Sequence, residues 1–364
     1  MKVMHVELGR HLYGGARQVA YLLNGLADFP DRHVLVCAPG AELAGAIERP
    51  EIRILQPAFG GDADLAYVAR LRRLIRSEQP DLLHIHSRRG DWLAAAAGAL
   101  EKCPVILSRR VDNPPRWFDV RLKFPLCRQI VTISEGIREV LAASGIPAER
   151  LRCIPSAVDT DRFRPGGDRA AVAVDLGIPP ERLLVAIVAQ LIPRKGHRVL
   201  FEALPAVVAQ HPSLQLLVFG QGPLEAELRQ TAAGLSQRVL FAGFRADLHR
   251  ILPCLDLVVH PAFLEGLGVS LLEAAACGVP IVASRAGGMP EIVRDGENGY
   301  LVEPGDAATL ANRIKTLLAD PALRRRMGSA GRTLTLERFS IPRMVEDNRR
   351  LYMAIAAGAE PHRG

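Results

Sequence analysis

The stretch Glu265-Gly-Leu-Gly-Val-Ser-Leu-Leu-Glu273 places two carboxylates eight residues apart, one in a glycine-bearing loop and one inside the helix that follows. Leu267 to Cys277 is rich in Leu and Ala, and Gly278 and Pro280 close it as a helix is closed. Ahead of it, Leu255-Asp-Leu-Val-Val-His260 has the apolar run of a buried strand. The loop carrying Glu265 therefore sits at the carboxyl end of a strand, the edge at which open α/β sheets take their ligands. A helix start offers unpaired N–H groups and positive partial charge to an anion. Counted from Leu267, Glu273 lies six residues in, roughly 9 Å along the axis. That span is comparable with the reach from a pyrophosphate to the ribose of the same nucleotide, so one element could hold a phosphate, a sugar and a ribose diol.

The same strand-to-helix rhythm runs outward from this stretch in both directions. Strands are predicted at Val3–Glu7, His33–Cys37, Leu82–His86, Val105–Ser108 and Gln129–Ile133, then at Leu183–Ala189, Leu214–Phe219, Val239–Ala242, Leu257–His260 and Ile281–Ala283. Ala-rich helical stretches such as Gly15–Ala27, Asp64–Ser77 and Glu135–Ser144 alternate with them. Such βαβα alternation predicts parallel sheets covered on both faces. The breakers in Phe163-Arg-Pro-Gly-Gly-Asp168 mark the linker. The expectation is an α/β chain of two doubly wound domains facing a central cleft, 1–165 and 166–340, with a last helix over 341–358 returning to the first domain.

Length and charge agree with that plan. The 364 residues are enough for two cores, and no apolar run reaches the ~18 residues of a membrane span. Met-Lys-Val-Met-His-Val-Glu reads as a strand and not as a signal peptide, because His5 and Glu7 interrupt it. Six scattered Cys without a Cys-x-x-Cys pair suit a reducing cytoplasm and give no metal site. The net charge is +7, and residues 1–170 hold 25 Lys and Arg against 20 Asp and Glu. Arg70, Arg72, Arg73 and Arg76 fall on one helix, and Arg109, Arg110, Arg116, Arg121, Lys123 and Arg128 within twenty residues. These clusters are either a solvated basic face or a surface for an anionic membrane or acidic substrate. Nucleic acid is not expected, since aromatics are only 5% and no stacking platform is present.

Several strand-to-helix turns carry glycine or positive charge. Leu8-Gly9 and Tyr13-Gly14-Gly15-Ala16 precede the first helix, where backbone N–H groups can approach a phosphate or a sugar closely, although a tight turn would also use two glycines. Ala189-Gln-Leu-Ile-Pro-Arg-Lys195-Gly196 holds the matching place in the second half, with Arg194 and Lys195 beside the expected cleft. Phe219-Gly220-Gln-Gly222 and Gly243-Phe244-Arg245 are two more such turns. Asp62-Ala-Asp64 and Asp159-Thr-Asp161 read as turns or helix caps before they read as metal sites. His84-x-His86 lacks an evident third ligand, so no metal is expected. Walker-type phosphate loops, nucleophile elbows and His-Glu-x-x-His are absent from the sequence. A nicotinamide dehydrogenase would want Gly-x-Gly-x-x-Gly after the first strand and an acid closing the second, where Val36-Cys37-Ala38 stands.

Taken in order, Phe-Gly-Gln-Gly-Pro223, Ala-Gly-Phe-Arg245, Asp-Leu-Val-Val-His-Pro261, the paired glutamates, Ala-Gly-Gly-Met-Pro-Glu-Ile-Val293 and Asn-Gly-Tyr-Leu-Val302 resemble the retaining, nucleotide-sugar-dependent glycosyltransferases of family four, with the GT-B fold of two Rossmann-like domains. Thr132-Ile-Ser134-Glu-Gly-Ile and Pro155-Ser-Ala-Val-Asp159 extend the resemblance into the first half. The resemblance implies that Glu273 holds the donor ribose, that Gly266, Leu267 and Gly268 line the diphosphate and sugar, and that Glu265 touches sugar hydroxyls. It implies Lys195 on the diphosphate, Phe244 and Arg245 beside the base, Gly220 at the edge of the donor pocket, and Gly14 and Gly15 as the opposite wall. Four positions depart from the family pattern: Gln190 stands for its Arg, with Arg194 as a substitute charge; Arg110 stands for its His; Ser156-Ala157 for its Asn-Gly; and Gln18 for its acidic residue.

The expected reaction is transfer of a hexose-type sugar from a UDP- or GDP-linked donor to a saccharide or glycolipid acceptor, with retention at the anomeric carbon. Lys195, Arg194 and helix N–H groups would stabilise the departing diphosphate without a metal or other cofactor. A catalytically silent nucleotide-sugar-binding protein is the alternative. The expected setting is the cytoplasm, with envelope polysaccharide, glycolipid or lipopolysaccharide synthesis and reversible contact with the inner face of the membrane.

Overall fold

A computed structural model describes residues 1–358. Seven runs of the first half form one all-parallel sheet: β1 (Lys2–Glu7), β2 (Arg32–Cys37), β3 (Arg53–Leu55), β4 (Leu82–Ile85), β5 (Val105–Arg109), β6 (Gln129–Thr132) and β7 (Leu151–Cys153), in the order β3-β2-β1-β4-β5-β6-β7. The order turns back between β1 and β4, the switch point of a doubly wound sheet. Both faces are covered, so alternate side chains of one strand enter different cores. Val3 joins Leu22, Leu26, Leu351 and Tyr352 on the face taken by the helices Gly14–Leu26 and Ile341–Ala356. Met4 and Val6 join Tyr67, Leu71 and Ala94 under the helices Leu65–Glu78 and Asp91–Leu100.

The second half repeats the plan with β8 (Leu183–Val188), β9 (Leu214–Phe219), β10 (Val239–Gly243), β11 (Leu257–His260), β12 (Ile281–Ser284) and β13 (Gly299–Val302), ordered β10-β9-β8-β11-β12-β13. Its switch point lies between β8 and β11. The helices His197–Gln210 and Ala307–Ala319 bury Leu200, Leu204, Leu310 and Ile314 on one face. The helix Val269–Ala276 packs against Pro321–Arg338, where a Cβ on Gly328 would stand 1.9 Å from the carbonyl of Gly278; only glycine permits that approach.

The chain divides into two compact units, Met1–Ala157 with the helix Ile341–Ala356, and Val158–Ser340. The division precedes the boundary read at 165/166 from the breakers. Phe163 is already a buried side chain of the second unit, and its carbonyl accepts from Arg332 at 3.3 Å. Asp168, read as the end of the linker, caps the helix Arg169–Leu176 by accepting from the Ala171 N–H. Both Asp-x-Asp pairs hold backbone: Asp64 caps Leu65–Glu78, Asp62 accepts from the Gly90 N–H, and Asp159 accepts from those of Asp161 and Arg162. Among the described residues no helix is long and apolar enough to cross a membrane.

Candidate functional site

In the second unit the site is built where β8 and β11 end. After β8 the chain makes a tight turn over Pro193–Lys195 and leaves it through Gly196 at φ +71°. A Cβ on Gly196 would lie 1.9 Å from the carbonyl of Pro261, so glycine lets the two loops touch. The Phe263 N–H donates to the Arg194 carbonyl at 2.8 Å and fixes them together. That contact brings Lys195, buried, into an ion pair with Glu265. His260, the last residue of β11, donates from Nε2 to the same carboxylate oxygen at 2.9 Å. Burial pushes the Glu265 carboxyl up, but the hydrogen bond from His260 and the charge of Lys195 outweigh it and hold it down at about 2. His197 packs close by. Burial, and then the His260 and Lys195 charges, lower its pKa to about 4, so it is neutral at pH 7.

Behind Glu265 stands the loop Ala286-Gly-Gly-Met289. The Gly288 N–H donates to the Glu265 carbonyl at 3.1 Å, and a Cβ on Gly287 would sit 1.8 Å from it. Gly266, Leu267 and Gly268 are buried in the following turn. Gly268 at φ +100° cannot belong to the helix, which begins at Val269 and not at Leu267. Glu273 is thus four residues from the helix start, roughly 6 Å instead of 9 Å. This helix has no side-chain cap and no acid in its first turn, so its first N–H groups meet no carboxylate of their own.

Other residues singled out by sequence fall around this centre. Arg194 is exposed and lines a cavity of about 450 Å³ with Phe263, His197 and Leu224, a cavity that neither Lys195 nor Glu265 lines. Of the two adjacent cations, Lys195 turns inward. Gln190 is exposed. Gly220 at φ +134° lets β9 close on the Ala189 carbonyl, 1.9 Å from where its Cβ would be. Phe244 is exposed, whereas Arg245 is held by Asp247 at 2.7 Å and Asp175 at 2.5 Å, hydrogen bonds that raise its pKa.

In the first unit the helix Gly14–Leu26 likewise starts without a side-chain cap or an acid in its first turn. A Cβ on Gly15 would lie 3.5 Å from Cδ of Arg110, and Arg110 Nη1 donates to Ser156 Oγ at 3.5 Å. Gln18 clamps the next residue: its Nε2 donates to the Ala157 carbonyl at 2.8 Å and its Oε1 accepts from the Ala157 N–H at 2.7 Å. Three departures from the family pattern are therefore neighbours in space.

Below them the fold supplies the third histidine that the spacing of His84 and His86 lacked. β1 lies beside β4, His5 pairs in register with His84, and the nitrogens of His5, His84 and His86 fall within 4.8 Å of one another. They are held by hydrogen bonds: His5 to His86 at 3.0 Å and His33 at 3.2 Å, His84 to the Tyr352 hydroxyl at 2.6 Å and Ser108 at 2.9 Å. Burial above all keeps these rings neutral, with His84 lowered to about 3 and His33 to about 4.

The two basic clusters differ in character. On the helix Leu65–Glu78, Arg70 pairs with Asp64, and Arg72 and Arg76 share Glu101. In the second cluster Lys123 is buried between Asp91 and Asp119, and Arg109 is buried against the carbonyls of Val111 and Asn113. Arg116, Arg121 and Arg128 remain exposed, and Trp117 and Leu122 are exposed with them.

Two doubly wound units with anion-ready loops at their switch points define the GT-B class of glycosyltransferase architecture. The chain belongs to the family described as glycosyl transferases group 1, matched over residues 168–334, with the glycosyltransferase family 4 domain matched over 13–162. It is 31% identical over 351 residues to the lipopolysaccharide core biosynthesis glycosyltransferase LpsE of Rhizobium meliloti, covering 93% of this chain and 95% of that one. It is 40% identical over 190 residues to a GDP-mannose-dependent monoacylated alpha-(1-6)-phosphatidylinositol monomannoside mannosyltransferase of Corynebacterium glutamicum, covering 49% of this chain and 50% of that protein. With a Mycolicibacterium smegmatis mannosyltransferase the match spans 58% of the relative, so the chain aligns with about half of each of these two. In fold it is similar to Anabaena HepE, solved in complex with UDP, with a TM-score of 0.85, 23% identity, and 97% and 100% of the two chains covered.

The motifs contain His260 and Gly287–Gly288 without revealing what they do, and His197 stands in none of them. His260 had a signal, as a polar residue closing an apolar strand five residues before Glu265.

Proposed function

We propose that this chain transfers a hexose-type sugar from a UDP- or GDP-linked donor to a saccharide or glycolipid acceptor, with retention of anomeric configuration, in the synthesis of lipopolysaccharide, a glycolipid or an envelope polysaccharide. The observation that carries the reading is the buried Lys195–Glu265–His260 group beside the uncapped helix Val269–Ala276. Lys195 and the helix N–H groups receive the charge that develops on the leaving diphosphate, and the Glu265 carboxylate, ionised above about pH 2, accepts from sugar hydroxyls. Glu273, four residues into that helix, takes the ribose diol. The leaving phosphate accepts the acceptor's proton on the face it vacates, which needs no side-chain nucleophile and no metal. The relatives' lipopolysaccharide-core and phosphatidylinositol-mannoside names support an envelope or lipid-linked acceptor.

The exposed Arg116, Trp117, Arg121, Leu122 and Arg128 form a cationic surface with apolar side chains, suited to reversible contact with an anionic membrane. A panel of UDP- and GDP-sugars tested by thermal shift identifies the donor, since a ligand at 100 times its dissociation constant adds about 2.7 kcal/mol. Slow hydrolysis of that donor, undiminished by EDTA, is the expected result. Binding without hydrolysis would favour the silent binding protein, and activity restored by added manganese would overturn the metal-free step.

A further inference from the structure

The Glu265 carboxylate is held by one of its two oxygens. Lys195 Nζ, arriving from the turn after β8, and His260 Nε2, at the end of β11, both donate to Oε2, the histidine at 2.9 Å. The backbone is pinned as well, because the Glu265 carbonyl accepts from the Gly288 N–H at 3.1 Å. Among the described residues Oε1 accepts no hydrogen bond, and it is not fully enclosed. One oxygen is therefore committed to the protein, and the other is open to a ligand.

A histidine is not what packing alone would put at position 260. It is 1% exposed, on a strand whose other members, Leu257, Val258 and Val259, are apolar and buried. Its Nδ1 is buried without a partner, which costs stability that an apolar side chain would not lose. Among the described residues the ring's hydrogen bond is the one to Glu265. His197, buried beside the group, does not share that task, since neither of its nitrogens has a partner. Lys195 is placed differently. Its ammonium has three donors, and among the described residues it meets Glu265 alone, so further donors are free for an anion. A diphosphate that draws Lys195 towards itself weakens the hold on Glu265, and a buried carboxylate left without a partner is strongly destabilised. The hydrogen bond from His260 does not depend on where Lys195 points, and it keeps the carboxylate in place.

We infer that His260 is a positioning residue of the sugar-transfer site: it holds Glu265 through Oε2 and leaves Oε1 to the donor sugar while Lys195 turns from Glu265 to the leaving diphosphate. This rests on the proposed reading, in which Glu265 meets sugar hydroxyls and Lys195 the diphosphate. Because an ionised carboxylate only accepts hydrogen bonds, His260 must carry a proton on Nε2.

Two measurements on the full chain test this. The first needs no donor: proton–nitrogen correlation NMR of the imidazoles, with His260 assigned by its loss in His260→Gln, should find a proton on Nε2. A bare Nε2 overturns the inference. The second is steady-state hydrolysis across a panel of UDP- and GDP-sugars, scored on the donor turned over fastest. His260→Leu should lower kcat about tenfold to a hundredfold, as a displaced group at a reacting centre does, and change KM by a smaller factor. His260→Gln, whose amide nitrogen reaches near the place of Nε2, should recover most of the loss, whereas His260→Asn, whose amide nitrogen matches Nδ1, should not. On a Glu265→Ala background, His260→Leu should lower kcat by less than about twofold further, because the residue it positions is gone. An undiminished effect on that background, or equal activity of the Gln and Asn variants, marks a merely structural histidine and overturns the inference. If the unaltered chain hydrolyses no donor of the panel, the transferase reading itself falls and takes the inference with it.

Discussion

Replacing Lys195 by Met removes one partner of a buried pair and leaves Glu265 with His260 alone. The interval between the ordinary carboxyl value of 4.5 and about 2 is worth about 3 kcal/mol, shared between His260 and Lys195. Lys195→Met should therefore cost the second unit about 1–3 kcal/mol at pH 7. Adding Glu265→Gln should return most of that loss, because a neutral amide needs no counter-charge. The pair's contribution has a defined sign in pH. A depressed carboxyl stabilises fully above pH 4.5 and progressively less as the pH falls towards 2, so the penalty should shrink near pH 3. Both tryptophans, Trp92 and Trp117, lie in the first unit, so their fluorescence does not report this change. Hydrogen exchange read by mass spectrometry on peptides spanning residues 183–199 does. A double variant no more stable than Lys195→Met, or a single-variant penalty that does not diminish in acid, would refute the coupling. In turnover, Lys195→Met should lose about two to three orders of magnitude whether or not Glu265 is changed.

Glu273→Gln should weaken donor binding by about 1.5–3 kcal/mol while slowing bound-state chemistry less; an unchanged dissociation constant by calorimetry removes Glu273 from the ribose. The first unit should lose stability as the pH falls from 6.5 towards about 3, because protonating His84 or His33 is easier in the unfolded chain, and tryptophan-monitored urea unfolding should show the decline. A flat profile between pH 6.5 and 4 contradicts neutral buried imidazoles. Binding to anionic vesicles at low salt should exceed binding to neutral ones and fall in Arg116→Glu/Arg121→Glu; equal binding, or an intact double variant, removes the membrane surface. Lys123 is unsuitable for that test because its charge is buried between two aspartates.

The strands legible in the sequence are those buried on both faces, such as Leu214–Phe219, whose apolar run needs no context. Arg53–Leu55 and Leu151–Cys153, three residues each at the edges of the first sheet, carry no periodicity and exist because a neighbouring strand templates them. At the site, Glu265 and Glu273 stand out by spacing, but Arg194 and Lys195 are equivalent in a string of letters. Which turns inward depends on the left-handed Gly196 and its contact with Pro261, a relation between residues 65 positions apart. The histidine group is invisible for the same reason: His5 meets His84 only because the sheet order puts β1 beside β4.

The helix Ile341–Ala356 contributes Met344, Leu351, Tyr352 and Ile355 to the core of the first unit, and its Tyr352 satisfies His84. As the chain leaves the ribosome, all seven strands of that unit emerge before residue 158, yet the residues that close its core emerge last. The second unit has its whole sequence available first. The later-made unit can thus mature ahead of the earlier one, and a nascent first unit must keep Val3, Leu22 and Ile106 from aggregating until nearly two hundred further residues have been added. A stop codon anywhere after Ser340 but ahead of Tyr352 would spare every residue of the loops around Lys195 and Arg110 and still strip part of the cover from the face of the first sheet that Gly14–Leu26 shares.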